Sequence, residues 1–598
     1  MSDYAKFKID YNKKTLKDLE HFTKDCESFG MINIQQYNPL YDEFFMLTKD
    51  NYNSISLNHV FHAIDSNTII DITKGYSNGI ADSIVNVPVH FKFSPLLDPI
   101  RFLIGKYDID DPKVRNLPKY DLKEESIAKL TTPNNASYID NFFCYLSSQL
   151  LNVHSVKHGI NYYGSYLGLQ ERYRIDIVDD MEYLNQSRFF TDNKGILYDI
   201  DTTDLDSYMN YGSRNNKCKI QIEDSINMGD DILLDFEDVS IENMNISEGG
   251  QTGNFGEVQG EILLIDTCLN NSDLVYEKLD LDGDNNSDND SVDNSSNNSE
   301  LSYSTINSDA DASDNDDDND SNYEDVDSEN EDTENNDDST ENDEPSLNAY
   351  IKNFPVQMIC LEKCEGTLDE MFAQKIITPE IASSIFMQII MSLIIYQKTF
   401  SLTHNDLHTN NIMYVSTDEP FLYYQYIGDL YKVPTYGKIY KIIDFGRAIY
   451  KYQGKVFCSD SFANDGDAST QYNCEPFFNT KKPRLDPNMS FDLCRLGCSI
   501  YDFVVNDEIH ITDDLQRTIL RWCKDDNGKN VLYKKNGEER YPNFKLYKMI
   551  ARTVHAHTPE AQLTFPYFAQ FRTQVVDADA EILNIDKLPS YASASGSN

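Results

Sequence analysis

Clustered positive charge is missing from this chain of 598 residues: Lys and Arg number 51 against 100 Asp and Glu, and the net charge is −49. Binding a phosphate backbone requires grouped Lys and Arg, so we expect no nucleic-acid partner. The first residues, charged from Asp3 onward, contain no apolar run of signal-peptide length. The most apolar stretch, Ile381 to Tyr396, is interrupted by polar residues and predicts a buried helix too short to cross a bilayer. We therefore expect no membrane partner.

Cysteine motifs of metal sites and disulfide frameworks are also missing. The eleven cysteines are scattered and odd in number. Two pairs, Cys360/Cys364 and Cys494/Cys498, have a four-residue spacing, but neither has a second CxxC or a His pair beside it. This usage predicts reduced thiols and a reducing, intracellular compartment.

Positive charge is entirely absent from Asp280 to Glu344, which contains 26 Asp and Glu residues. The wider segment 271–346 is almost wholly Asp, Asn, Ser and Glu, and such a composition buries too little apolar surface to offset the entropy of ordering it. We therefore expect a disordered insertion. Deleting 280–344 should leave thermal stability and catalytic activity nearly unchanged, measured by calorimetry and activity assay. Loss of the fold on deletion would show that the segment is structural.

The order of the predicted elements favours an α+β fold, with a small β-rich lobe followed by a larger helical lobe. Strands are predicted at Val87–Phe93, Tyr173–Val178 and Pro355–Leu361, and helices at Ser137–Val153 and Pro379–Lys398. The expected segments are a helical or irregular extension (1–54), the β-rich lobe with an elaborated insertion (55–270), the acidic insertion (271–346), the last strand and hinge (347–364), the helical lobe (365–580) and a flexible tail (581–598).

Two short motifs carry chemistry. The first, H-x-D-L-x-x-x-N, runs from His404 to Asn411 and precedes an apolar strand. The second, Asp444-Phe445-Gly446, ends the next apolar strand. An Asp in a tight loop can accept the proton of a hydroxyl, while an Asn five residues later and an Asp on the next strand can hold one metal ion.

These motifs resemble the catalytic loop and the D-F-G segment of the eukaryotic-type protein kinase family. The resemblance implies a bilobal kinase-like fold and transfer of the ATP γ-phosphoryl group to Ser or Thr hydroxyls of an unidentified protein substrate, with Mg²⁺. It implies Asp406 as catalytic base, Asn411 and Asp444 as metal ligands, and His404, Phe445 and Gly446 as supporting residues. It covers roughly residues 71–178 and 355–575.

Other segments agree with this resemblance. Met358 to Leu368 looks like the hinge, which implies that Glu362 and Cys364 meet adenine. The run from Asp492 to Gly497 resembles the D-x-x-x-L-G helix of the family, in which a buried Asp accepts hydrogen bonds from the catalytic-loop backbone. We assign that role to Asp492.

The expected ATP-phosphate contacts lie near the start of the chain. Lys92 stands in an alternating strand as the phosphate-binding lysine of the family does, on the face opposite Phe91 and Phe93. The Ser137–Val153 helix contains no Glu to pair with it, and Asp140 is its only acid, so we predict a Lys92–Asp140 pair. Gly75 and Gly79 would belong to the phosphate-covering loop, although they do not form G-x-G-x-x-G.

Several departures from the family are clear. Asn405 replaces the Arg that grips a phosphorylated activation loop, and His408 replaces the common Lys two residues after the base. Asp406 and Asp444 are 38 positions apart, about twice the family separation, with the Tyr-rich segment 421–436 as the extra chain. The Asn-, Asp- and Tyr-rich composition resembles divergent kinases of giant DNA viruses of amoebae, which would imply host cytoplasm or virion.

Two other functions remain open at this point. The missing helix Glu and the degenerate glycine loop favour a pseudokinase, a binding module without turnover. A kinase-like small-molecule phosphotransferase is favoured by the H-x-D-x-H-x-x-N reading that includes His408, whereas Phe445 and the D-x-x-x-L-G helix oppose it.

Overall fold

The computed structural model describes residues 4–13, 29–71, 76–77, 80–81, 84–178, 180–200, 347–505, 508 and 510–594. Strands and helices are both present, so the expected α+β class is confirmed. The acidic insertion expected at 271–346 lies outside the described residues, as do the glycines Gly75 and Gly79.

The strands are β1 (Tyr11–Lys13), β2 (Met31–Gln35), β3 (Ile55–Leu57), β4 (Phe61–Asp65), β5 (Thr68–Asp71), β6 (Tyr76–Ser77), β7 (Ile80–Ala81), β8 (Ile84–Asn86), β9 (Val89–Pro95), β10 (Tyr162–Asp176), β11 (Tyr198–Ile200), β12 (Asn348–Glu362), β13 (Gly366–Thr367), β14 (Ile412–Ser416), β15 (Phe421–Tyr426), β16 (Asp429–Pro434), β17 (Lys438–Ile442), β18 (Ile449–Tyr452), β19 (Lys455–Cys458), β20 (Arg572–Thr573) and β21 (Ile582–Asn584).

The helices are α1 (Pro99–Leu103), α2 (Ala128–Thr131), α3 (Ala136–His154), α4 (Met181–Asn185), α5 (Arg188–Asn193), α6 (Leu368–Ala373), α7 (Pro379–Phe400), α8 (Phe491–Val504), α9 (Asp514–Trp522), α10 (Lys545–Thr553), α11 (Pro559–Gln562) and α12 (Pro566–Ala569). The predicted helices at 137–153 and 379–398 correspond to α3 and α7, and the predicted strands correspond to β9, β10 and β12.

A five-stranded antiparallel sheet has the order β11-β12-β10-β2, with β9 also paired to β12. The two long strands β10 and β12 form its centre. The register of β9 on β12 places Lys92 opposite Ile359 and Phe91 opposite Cys360. Because side chains alternate along a strand, Phe91 and Phe93 pack on the sheet face that holds Met358 and Cys360, and Lys92 emerges on the other face, as predicted.

Helix α3 is buried along nearly its whole length in the same core as α7. It begins where the Asn135 side chain accepts a hydrogen bond from the Ser137 amide, and it ends at Ser155, which adopts φ 56°. Phe142 and Phe143 are wholly buried, which holds the helix firmly in place. Any side chain on its first turns therefore has a well-defined position.

Helix α7 starts and ends where local sequence predicts. Thr378 caps it by accepting from the Ile381 amide, and Pro379 occupies the first helical position. By length and composition α7 alone, among the described residues, could cross a membrane, which corrects the expectation that it is too short. However, 83% of its most apolar window is buried inside the protein, as in the core helix of a folded domain.

The N-terminal segment is not the helical or irregular extension that was expected. Its strand β2 pairs with β10 at the edge of the central sheet, and β1 pairs with β3. Met31 is fully buried on this edge strand. The sequence did not predict this strand, because a five-residue edge strand directs only two or three side chains inward and so gives only a weak periodic pattern.

The segment expected to be a flexible tail is packed as far as residue 594. Its strand β21 pairs in parallel with β15, and Tyr591 is only 2% exposed. The Tyr591 hydroxyl accepts from the Phe7 amide and contacts the His154 ring at 2.6 Å. The extra chain at 421–436 forms the hairpin β15–β16, which pairs with β20 and β21 while β14 and β17 pair directly with each other.

Candidate active site

The loop after α7 is anchored by a buried carboxylate. Asp492, at the start of α8, accepts hydrogen bonds from the backbone amides of His404 and Asn405, both at 2.9 Å. Asp492 is fully buried, and this burial raises its pKa above the ordinary value despite the two N–H donors. The contact predicted for Asp492 is thereby confirmed.

His404 ties this loop to the strand that leads to Asp444. Its Nδ1 accepts from the Asp406 amide at 3.3 Å, so the ring proton resides on Nε2, which donates to the Ile443 carbonyl at 2.9 Å. The Ile443 amide donates in turn to the Asn411 carbonyl at 3.0 Å. Two segments that are distant in sequence are thus held side by side.

Asn411 and Asp444 lie at the neighbouring ends of the paired strands β14 and β17. The Asn411 Nδ2 donates to the Asp406 carbonyl at 2.9 Å, and no described residue donates to its amide oxygen. Asp444 has φ 64°, a conformation that Asp tolerates better than most residues. The two residues are therefore neighbours at one end of this strand pair.

Lys92 joins Asp140 and Asp444. Its Nζ lies 2.7 Å from Asp140 Oδ2 and 2.9 Å from Asp444 Oδ1. The Lys92–Asp140 contact predicted from the sequence is present: Asp140 sits one turn into α3, and Ser137 at the start of this helix is hydrogen-bonded to Ser94 and Pro95 at the end of β9. The phosphate-binding role of Lys92 remains a prediction.

Asp140 also holds the residue after Asp444. Its second oxygen, Oδ1, accepts from the Phe445 amide at 2.8 Å and from the Cys144 thiol at 3.7 Å. Asp140 is fully buried, and each of its oxygens has a donor, as a buried carboxylate requires. Phe445 is also fully buried and packs against Phe143 at 4.4 Å between ring centroids.

The electrostatics of this cluster keep both partners charged. Partial burial opposes ionisation of Asp444, but the Lys92 ammonium outweighs it and lowers the pKa of Asp444 to about 2, with help from His404 and the Gly446 amide. Burial likewise lowers the pKa of Lys92, but the carboxylates of Asp140 and Asp444 raise it well above its ordinary value. Lys92 and Asp444 are therefore both ionised near neutral pH.

The side chain of Asp406 is surrounded by groups that sequence analysis missed. The Tyr547 hydroxyl donates to Asp406 Oδ1 at 2.8 Å, and the Arg447 Nη1 lies 3.9 Å from Oδ2. Arg495 donates to the Tyr547 hydroxyl. No short motif links these residues, because Tyr547 follows Asp406 by 141 positions.

The predicted hinge residues lie where β12 leaves the sheet. The Glu362 amide donates to the Asn161 carbonyl, and its carboxylate binds the buried Lys441 and the Asn161 amide. Cys364 is 9% exposed, and burial raises the pKa of its thiol to about 12. The side chains of Glu362 and Cys364 are thus structural, and the amides of Glu362 and Lys363 are already bonded to the carbonyls of Asn161 and Pro88. Contact of these residues with adenine remains a prediction.

The segment after Asp444 is held in place by hydrogen bonds and an ion pair that involve no phosphate group. The Asn405 side chain donates to the Arg447 carbonyl at 3.0 Å and accepts from the Tyr472 hydroxyl at 2.8 Å. Further along, the Asp460 carboxylate accepts from the first amide of α3, that of Ala136, and pairs with Lys129 at 2.6 Å. A carboxylate at a helix N-terminus is favourably placed for the helix dipole.

The residues fit the Mg²⁺ that the motif implies. Mg²⁺ takes oxygen ligands and is commonly held by one or two protein side chains, with water and phosphate completing the octahedron. The Asp444 side chain is ionised and 47% exposed, and the Asn411 amide oxygen is uncommitted. Within the described ranges no three His, Cys, Asp or Glu side chains form a metal site by themselves.

The eight cysteines in the described ranges are buried, and none of them forms a disulfide. The hairpin that would contain Gly75 and Gly79 is represented by β6 and β7, which pair with each other, while the two glycines lie outside the described residues.

No protein-family model and no curated protein matches this chain.

Proposed function

We propose that this chain is a serine/threonine-protein kinase with a bilobal kinase-like arrangement, using ATP and Mg²⁺. The observation that carries the proposal is the Asp140–Lys92–Asp444 cluster beside the loop of Asp406 and Asn411. These residues come from β9, α3, a catalytic-type loop and the end of β17. Packing of the core does not by itself require an ammonium group, three carboxylates and an amide side chain to be brought together in this way.

In this proposal each residue has a separate task. Asp406 accepts the proton of the acceptor hydroxyl as its oxygen attacks the γ-phosphorus and ADP leaves. Lys92 neutralises the ATP phosphates, and Asp140 keeps its ammonium in place. Asp444 and Asn411 would hold Mg²⁺, which when bound stabilises charge on the transferring phosphoryl group.

Labelled ATP distinguishes the possible activities. The purified chain is incubated with γ-labelled ATP and Mg²⁺, with protein acceptors or with small-molecule alcohols, and an Asp406→Asn variant serves as control. Label on Ser or Thr that disappears in the variant supports the kinase. Label only on a small molecule would indicate a small-molecule phosphotransferase, and ATP binding without transfer would indicate a pseudokinase.

Activity should not depend on a phosphorylated activation segment. Asn405 is neutral and already bonded to Tyr472, and Asp460 supplies the negative charge at the start of α3. Phosphatase treatment is expected to leave the phosphotransfer rate within a few-fold, measured before and after treatment. A large loss that rephosphorylation between Gly446 and Glu475 restores would contradict this prediction.

A further inference from the structure

Tyr547 and Arg495 form a hydrogen-bonded chain that ends on the proposed base. Arg495 Nε donates to the Tyr547 hydroxyl at 2.9 Å, and that hydroxyl donates to Asp406 Oδ1 at 2.8 Å. Tyr547 lies on α10 and Arg495 on α8. Hydrogen bonds to a charged group are the stronger kind, so this chain constrains the carboxylate.

We propose that Tyr547 is a positioning residue for Asp406, holding Oδ1 so that Oδ2 faces the acceptor hydroxyl. This inference rests on the proposed kinase function. An Asp carboxylate rotates broadly about χ2, so one fixed oxygen determines the direction of the other. Arg447 Nη1, at 3.9 Å from Oδ2, is too far for a hydrogen bond and leaves that oxygen able to accept a proton.

Tyr547 is itself held from several sides. The Arg495 guanidinium lies 5.2 Å from its ring centroid, and Phe544 stacks on the ring at 5.3 Å. Burial raises the pKa of Tyr547, so its hydroxyl keeps its proton and remains a donor. Helix α8 thus supports the loop twice, through Asp492 to its backbone and through Arg495 and Tyr547 to the side chain of Asp406.

Tyr547→Phe tests the proposal because it removes one hydroxyl and keeps the ring. We expect kcat to fall roughly 10- to 100-fold with KM for ATP unchanged, the fold-change that follows from losing a hydrogen bond to a charged group.

Tyr533→Phe is the matched control, since it removes an equal 2.8 Å bond from a tyrosine to a carboxylate, that of Asp502. It should leave kcat and KM for ATP unchanged. In an Asp406→Asn background, Tyr547→Phe should add little further loss, because the two residues act as one unit.

The outcomes separate the two levels of the proposal. An active wild-type protein with an unimpaired Tyr547→Phe variant overturns the role of Tyr547 alone. A Tyr547→Phe variant with raised kcat also overturns it, because the phenol would then compete with the acceptor hydroxyl. A wild-type chain that transfers no phosphoryl group overturns the kinase function and this inference with it.

Discussion

Asp444→Ala is expected to reduce phosphotransfer by on the order of 10³-fold or more while leaving the chain folded. A metal ion that neutralises developing charge contributes several kcal/mol to the transition state, and each ~1.4 kcal/mol is a factor of ten in rate. Asp444 is the carboxylate that would hold this metal. In the variant Lys92 keeps its other partner, Asp140, so one carboxylate still balances the positive charge of the ammonium. The measurement is steady-state transfer of label at saturating Mg²⁺ and ATP.

Folding of the variant needs its own check, because Asp444 has φ 64°, where Ala is strained. Asp444→Asn keeps the shape and tolerates this conformation, and it should lose activity to a similar degree. Asp121→Ala is the matched control: Asp121 also has a positive φ, 63°, and pairs with a lysine, Lys49 at 3.2 Å. Wild-type rates in a folded Asp444 variant would refute the proposed metal site.

The lowered pKa of Asp444 predicts how this group responds to pH. A carboxyl whose pKa is depressed in the folded chain stabilises the fold above its ordinary pKa, and this contribution is lost only as pH falls toward 2. Asp444 is therefore ionised near neutral pH. An acid limb in the activity profile at mildly acidic pH must therefore come from a group other than Asp444.

Lys92→Met is expected to lower kcat by roughly 10²- to 10³-fold, the effect typical of removing one preorganised electrostatic contact to a reacting group. Lys92 is the ammonium nearest to Asp444, and two carboxylates keep it charged and in place. Lys157→Met is a close control, since Lys157 is equally exposed and also lies between two carboxylates, Glu419 and Glu581. The control should retain wild-type activity, as measured by labelled-phosphate transfer.

Asp140→Ala should reduce activity less than Lys92→Met, and in the Lys92→Met background it should cost little more. The reason is that Asp140 acts mainly through Lys92, and residues that work as a unit give non-additive losses. Some additional loss of activity is expected, because the Phe445 amide loses its hydrogen bond to the Asp140 carboxylate. Fully additive losses would show that Asp140 and Lys92 act separately. An unimpaired Lys92→Met enzyme would place the phosphate lysine elsewhere, with Lys74 and Lys106 as the next candidates.

The sequence by itself determined the local features. Thr378 and Pro379 predicted where α7 begins, because capping depends on a few consecutive residues. The alternation around Lys92 predicted its face of β9 for the same reason. Asp406, Asn411 and Asp444 were singled out because each lies in a short motif that resembles a protein-kinase motif and stands beside an apolar strand.

Only the tertiary structure decided which distant residues complete the candidate site. Three contacts cannot be predicted from any short stretch of sequence: Tyr547 with Asp406, Asp460 with the start of α3, and Tyr472 with Asn405. Each of these contacts depends on the path of the whole chain. The packed segment 582–594 was missed likewise, because its apolar side chains have no period of their own and are buried against distant parts of the chain, among them β15, the N-terminal segment and the end of α3. Local spacing encodes elements and motifs, whereas long-range contacts exist only once those elements have packed.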